Sequence, residues 1–84
     1  MEANNTTYSK EIKESMIRDF ATHVGIQIRL RRTKMKLTLY NVSNMTGITQ
    51  AQLSKIERGE ADMKLSTLAI LRSALALDIR IDGL

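Results

Sequence analysis

The apolar positions of this chain change period several times along its length. After a polar stretch over residues 1–8, Ile12, Met16, Phe20, Val24 and Ile28 recur every four residues, and Ile17 and Ala21 widen the stripe. That spacing predicts one long amphipathic helix from Ser9 to about Thr33. Ser9 is placed to cap it, with Glu11 in the first turn, where the helix dipole favours an acid. Gly25 lies inside this span and leaves open whether the segment is one helix or two. Thr38 reads as the cap of a short helix over Leu39 to Met45. Thr46-Gly47-Ile48-Thr49 reads as a tight connection, since glycine accepts the left-handed backbone of a sharp turn. Thr49 then caps a helix over Gln50 to Arg58, with Leu53 and Ile56 inward and Gly59 as its stop. Glu60 to Lys64 is a polar loop. A last helix follows, opening at Leu65-Ser66-Thr67-Leu68, with Leu68, Leu71, Ala74 and Leu75 as its core stripe. From Leu77 to Ile81 the period drops to two, the pattern of a half-buried strand, which needs a partner.

Composition narrows the chemistry. The 84 residues hold no Cys, no Pro and one His, His23. Disulfides, Cys-zinc sites and thiol catalysis are excluded, and a multi-His metal site with them. The acids stand singly, without the paired spacing of acid–base catalysis, and no Gly-rich phosphate loop is present. No catalytic, cofactor-binding or metal-binding residues are assigned, and an enzyme is not expected. No apolar run approaches the length of a membrane span. The N-terminus lacks a signal pattern, and a cytoplasmic setting is expected. Three aromatics are too few for a platform that stacks single-stranded bases.

The net charge of +4 does not choose a partner, but its distribution does. Residues 29–58 carry seven basic side chains (Arg29, Arg31, Arg32, Lys34, Lys36, Lys55, Arg58) against Glu57, a local +6; the remainder carries −2. The basic segment coincides with two short helices joined by a Gly-containing turn, the arrangement that sets one helix into a major groove.

Residues 24–77 also resemble a known family, the Cro and lambda-repressor type (XRE-like) helix-turn-helix domain. The resemblance is carried by Val24-Gly25 with Ile28 and Arg32, by Leu37-Thr38, by Gly47-Ile48-Thr49, by the run Leu53-Ser54-Lys55-Ile56-Glu57-Arg58-Gly59, and by Leu65-Ser66-Thr67-Leu68 with Ala74-Leu75. It implies an all-α fold of five helices, here with an extended N-terminal helix and a short C-terminal β-strand. The expected organisation is a disordered N-terminus over 1–8, a helix-turn-helix DNA-binding domain over 9–76 and a dimerisation strand or tail over 77–84. The resemblance further implies an ion pair between Arg32 and Glu57. It implies base contacts from Gln50, Ala51 and Lys55, and phosphate contacts from Thr38, Thr49 and Arg58. Gln52 reads as solvated helix. At Leu39 the family favours Gln, and Leu39, with Ile26 and Leu30, is a candidate partner surface.

The implied function is that of a double-stranded-DNA-binding transcriptional regulator. A dimeric repressor on a palindromic operator is expected, with Leu77, Ile79 and Ile81 pairing two copies. The ending Ala74-Leu75-Ala76-Leu77-Asp78-Ile79-Arg80-Ile81 is similar to that of helix-turn-helix antitoxins. An antitoxin that neutralises a toxin protein while repressing its own operon is therefore the alternative reading. A protein-interaction module that no longer binds DNA is the third.

Overall fold

The computed structural model describes residues 7–78. Its first element, α1, runs unbroken from Lys10 to Lys34. Ser9 caps it as expected, its hydroxyl accepting from the Ile12 amide at 3.2 Å. Gly25 does not divide it. At that residue the helix passes against the end of a neighbour, and a Cβ there would lie 2.4 Å from the Ile56 carbonyl oxygen and 2.8 Å from that of Glu57. The glycine is a contact point between two backbones, so its local cost as a helix residue does not break the helix.

Three more helices follow: α2 (Leu39–Thr46), α3 (Gln50–Glu57) and α4 (Leu65–Ala74). Thr38 and Asn41 close a reciprocal capping box at α2. The Asn41 amide donates to the Thr38 hydroxyl at 3.0 Å, and the Thr38 amide donates to Asn41 Oδ1 at 2.9 Å. The α2–α3 turn opens at Gly47, with φ of 80°. Thr46 ties it, donating to the Val42 carbonyl at 2.8 Å and accepting from the Ile48 amide at 3.1 Å. Thr49 caps α3 by accepting from the Gln52 amide at 3.1 Å.

Three helix ends share one geometry. At α1 the Leu37 amide reaches the Arg32 carbonyl and the Lys36 amide that of Thr33. The same pair of bonds closes α3 (Glu60 to Lys55, Gly59 to Ile56) and α4 (Leu77 to Arg72, Ala76 to Ser73). This double bond pattern requires a left-handed residue after the cap. Gly59 fills that position at φ of 73°, whereas Lys36 and Ala76 adopt φ of 60° and 48° without being glycine.

The expected count of five helices is corrected to four among the described residues, because α1 is continuous and residues 59–64 form no helix. The expected strand is also not supported: no strand occurs among the described residues, Leu77 and Asp78 are irregular, and 79–84 lie outside them. Leu77 is 7% exposed and belongs to the core of its own chain. That core joins Val24 and Ile28 of α1, Val42 of α2, Leu53 and Ile56 of α3, and Leu71, Leu75 and Leu77 at α4. Leu39 packs half-buried against its edge and so does not face outward. The first half of the α1 stripe departs from expectation. Ile12, Met16, Ile17 and Phe20 are 46–52% exposed, so the periodic face enters the core only from Val24 onward.

Candidate nucleic-acid interface

The interface is built on α3, whose inward positions Leu53 and Ile56 are 1% and 2% exposed. At about 3.6 residues per turn, Ala51, Ser54, Lys55 and Arg58 fall on the opposite side, and Gln50 and Gln52 flank them. Ala51, Lys55, Gln50 and Gln52 are all exposed. A helix of this kind presents donors, a cation and a small apolar group along one edge. Those are the groups that can read adenine, guanine and the thymine methyl in a major groove. Gln52 borders a shallow concavity with Thr49, Ala51, Lys55, Glu60 and Ala61, so it lies on the same surface as the expected base contacts.

Two interactions fix how α3 is held. The α1–α3 approach at Gly25 sets its distance from α1. The Arg32 guanidinium then locks its end: Nε donates to Glu57 Oε2 at 2.6 Å, Nη2 to Oε1 at 2.9 Å, and Nη1 to the Leu37 carbonyl at 2.8 Å. One side chain thus joins α1, the α1–α2 loop and α3. The side chains of the pair are only 13% and 7% exposed. The hydrogen bond to Glu57 raises the Arg32 pKa above its ordinary value, and the charge of Glu57 adds to this against the cost of burial.

The expected phosphate-contact hydroxyls are the caps of α2 and α3. Thr38 and Thr49 each accept an amide through Oγ1, which leaves the hydroxyl hydrogen free to donate. Both stand where helix amide groups point outward, which favours an anion. Arg58 sits differently. Its Nε and Nη2 fork onto Glu60 at 2.9 and 3.2 Å, and its Nη1 donates to the Ser54 hydroxyl. The fork is open to solvent, with both side chains about half exposed. The Arg58 hydrogen bond first, then its charge, hold the Glu60 carboxyl below its ordinary range; the charge of Lys55 acts the same way and desolvation opposes them.

The local +6 therefore divides. Arg31 donates from Nε to the Leu75 carbonyl at 2.8 Å and closes the end of α4. Arg32 is internal to the fold and Arg58 is neutralised locally. Ser54, Glu60 and Arg31 were not singled out by sequence reasoning. Arg31 acts where two distant helix ends meet, which spacing does not show, whereas Ser54 and Glu60 lie four and two residues from Arg58, a closeness in the chain that could have flagged both. Among the described residues no cluster of three His, Asp or Glu is placed to hold a metal, and no helix is long and apolar enough to cross a membrane.

Comparison with known proteins agrees with this arrangement. A family model described as helix-turn-helix matches residues 28–81, which spans the turn and both short helices. An uncharacterized HTH-type transcriptional regulator of Sinorhizobium fredii is 35% identical over 57 residues, covering 68% of this chain. The matched region spans 29% of that relative's length. No solved structure matches.

Proposed function

Because the chain belongs to the helix-turn-helix family of the Cro and lambda-repressor type, we propose that it is a DNA-binding transcriptional regulator that reads duplex DNA with the outer face of α3. One observation carries this reading: α3 is locked from behind by Gly25 and the Arg32–Glu57 fork, while Ala51 and Lys55 stand exposed on its outer side. Rigid support of an exposed polar helix face is what base recognition needs, since a bidentate contact tolerates little displacement. Lys55 and the flanking Gln50 contact bases, Ala51 meets a thymine methyl, and Thr38 and Thr49 fix the register through phosphates.

Two copies act together on a palindromic operator as a repressor, with half-sites about 34–36 Å apart, and exclude other proteins from a promoter sterically. Selection of bound duplexes from a random pool at two salt concentrations tests the reading. A two-fold motif is expected to enrich, and Lys55→Ala to cost about 1–3 kcal/mol on it and relax preference at one base pair. Failure to enrich any motif would defeat the proposal.

A further inference from the structure

The strongest feature that the DNA-reading surface does not use is the N-terminal half of α1. The helix is about 37 Å long at 1.5 Å per residue, yet its first buried side chain is Val24. Residues 10–21 form an arm about 18 Å long that reaches beyond the core, and Thr22, set against Gly59, marks where it meets the rest of the fold. An isolated helix of that length is marginal in water, and tertiary packing usually supplies the missing stability. Here Ile12, Met16 and Phe20, spaced by four, continue the line of Val24 and Ile28 but are 47%, 50% and 46% exposed. Beside Phe20 an apolar groove opens between the arm and Ala61 and Met63.

We propose that this arm pairs antiparallel with the arm of a second copy, about a two-fold axis at Met16. Three observations select a second copy. The ridge is self-complementary: a two-fold at Met16 brings Ile12 level with the partner's Phe20, so both ends of the ridge are covered at once, as an isologous contact requires. A four-residue ridge is also the element that interdigitates in the commonest helix–helix packing. Charge points the same way. Residues 10–21 carry Lys10, Lys13 and Arg18 against Glu11, Glu14 and Asp19, so the arm is neutral while the chain is +4. A second copy is not repelled there, and a polyanion is not drawn there. The area fits a modest dimer. The half-exposed apolar side chains with their polar flanks bury roughly 500–600 Å² per copy, or about 1,000–1,200 Å² in all, the lower end of specific interfaces. In this pairing the partner's Ile12 enters the groove beside Phe20.

The inference is independent of the DNA reading, because its test uses no DNA. Sedimentation equilibrium of the full chain is expected to show a monomer–dimer equilibrium with a micromolar Kd. Ile12→Glu and Phe20→Lys are each expected to weaken it at least about tenfold. The double variant, which sets Glu opposite Lys across the two-fold, is expected to recover most of that loss. Circular dichroism should show helix content falling on dilution of the wild type, as the arms separate. A monomeric wild type at about 500 μM would overturn the proposal. So would single variants that dimerise like the wild type, or a double variant as weak as either single one.

Discussion

Replacing Gly25 with alanine sets two magnitudes against each other with opposite sign. Inside a helix, alanine is favoured over glycine by about 1 kcal/mol, so propensity alone makes Gly25→Ala stabilising. The new Cβ, however, would stand 2.4 Å from the Ile56 carbonyl oxygen, 2.8 Å from that of Glu57 and 3.0 Å from the Glu57 carbonyl carbon, where ordinary contact begins at 3.4 Å. These are backbone atoms, so no rotamer change relieves them. The last turn of α3 has to retreat by about 1 Å. Overpacking of this kind costs about 1–3 kcal/mol, and a rigid neighbour puts it at the upper end. The Ile56 carbonyl is also the acceptor of the Gly59 amide at 3.0 Å in the cap of α3, so the retreat strains that cap as well. The net expectation is a loss of about 2 kcal/mol after the gain in propensity. For a domain of this size that is a fall in Tm of roughly 8–16 °C, measured by thermal circular dichroism with urea unfolding alongside. A variant as stable as the wild type, or more so, would show that the helices separate freely, and the argument for Gly25 would be wrong.

Other consequences follow from the same contacts. Glu57→Ala leaves Arg32 facing an empty, mostly buried site and is expected to cost about 2–4 kcal/mol, with Glu57→Gln milder; a urea midpoint unchanged by Glu57→Ala would remove the fork from the account. Ala76→Gly relieves a left-handed residue, φ of 48°, at the end of α4 and is expected to stabilise by about 1 kcal/mol, seen as a higher Tm. Glu60→Gln frees Arg58, and the slope of log affinity against log salt on random-sequence DNA should steepen by about 0.9, one phosphate's worth. The remote Glu11→Gln, equal in charge, should leave that slope unchanged, and equal slopes for both variants would refute the role given to the fork. In a carboxyl NMR titration Glu60 should protonate below the ordinary glutamate range, held down first by the Arg58 hydrogen bond and then by its charge. Its folded pKa is the lower one, so whatever the fork contributes is present above the unfolded pKa and is lost as pH falls through the folded value.

How much of this was legible in the sequence depended on the range of the interaction. Ser9, Thr38 and Thr49 were readable as caps because a cap bonds an amide three residues on, and its chemistry is complete within one turn. Leu53 and Ile56 were readable as inward because they share the face that a short helix must bury. Range explains the failures too. Period four shows that Ile12, Met16 and Phe20 share a side of α1, but not whether another element reaches that far. Gly25 looked like a weak point because its neighbour, the end of α3, is more than thirty residues away in the chain. Lys36 and Ala76 carried no mark of a left-handed backbone, since the bonds to Thr33 and Arg32, and to Ser73 and Arg72, impose it. Counting charges over 29–58 overstated the free cations, because three of the seven are engaged within the chain. The Arg32–Glu57 pairing came from resemblance, and the distances now give it a mechanical role.

The Arg58–Glu60 fork bears on how such a protein finds its site. Every free cation on a reading surface lengthens its stay on irrelevant DNA, and a chromosome offers an enormous excess of it. A guanidinium already held by a carboxylate adds little to these chance encounters. Where the backbone lies at the right distance and angle, a phosphate oxygen can compete for the same donors. The fork would then trade a little final affinity for brevity in the wrong places, making residence time, as well as fit, part of discrimination.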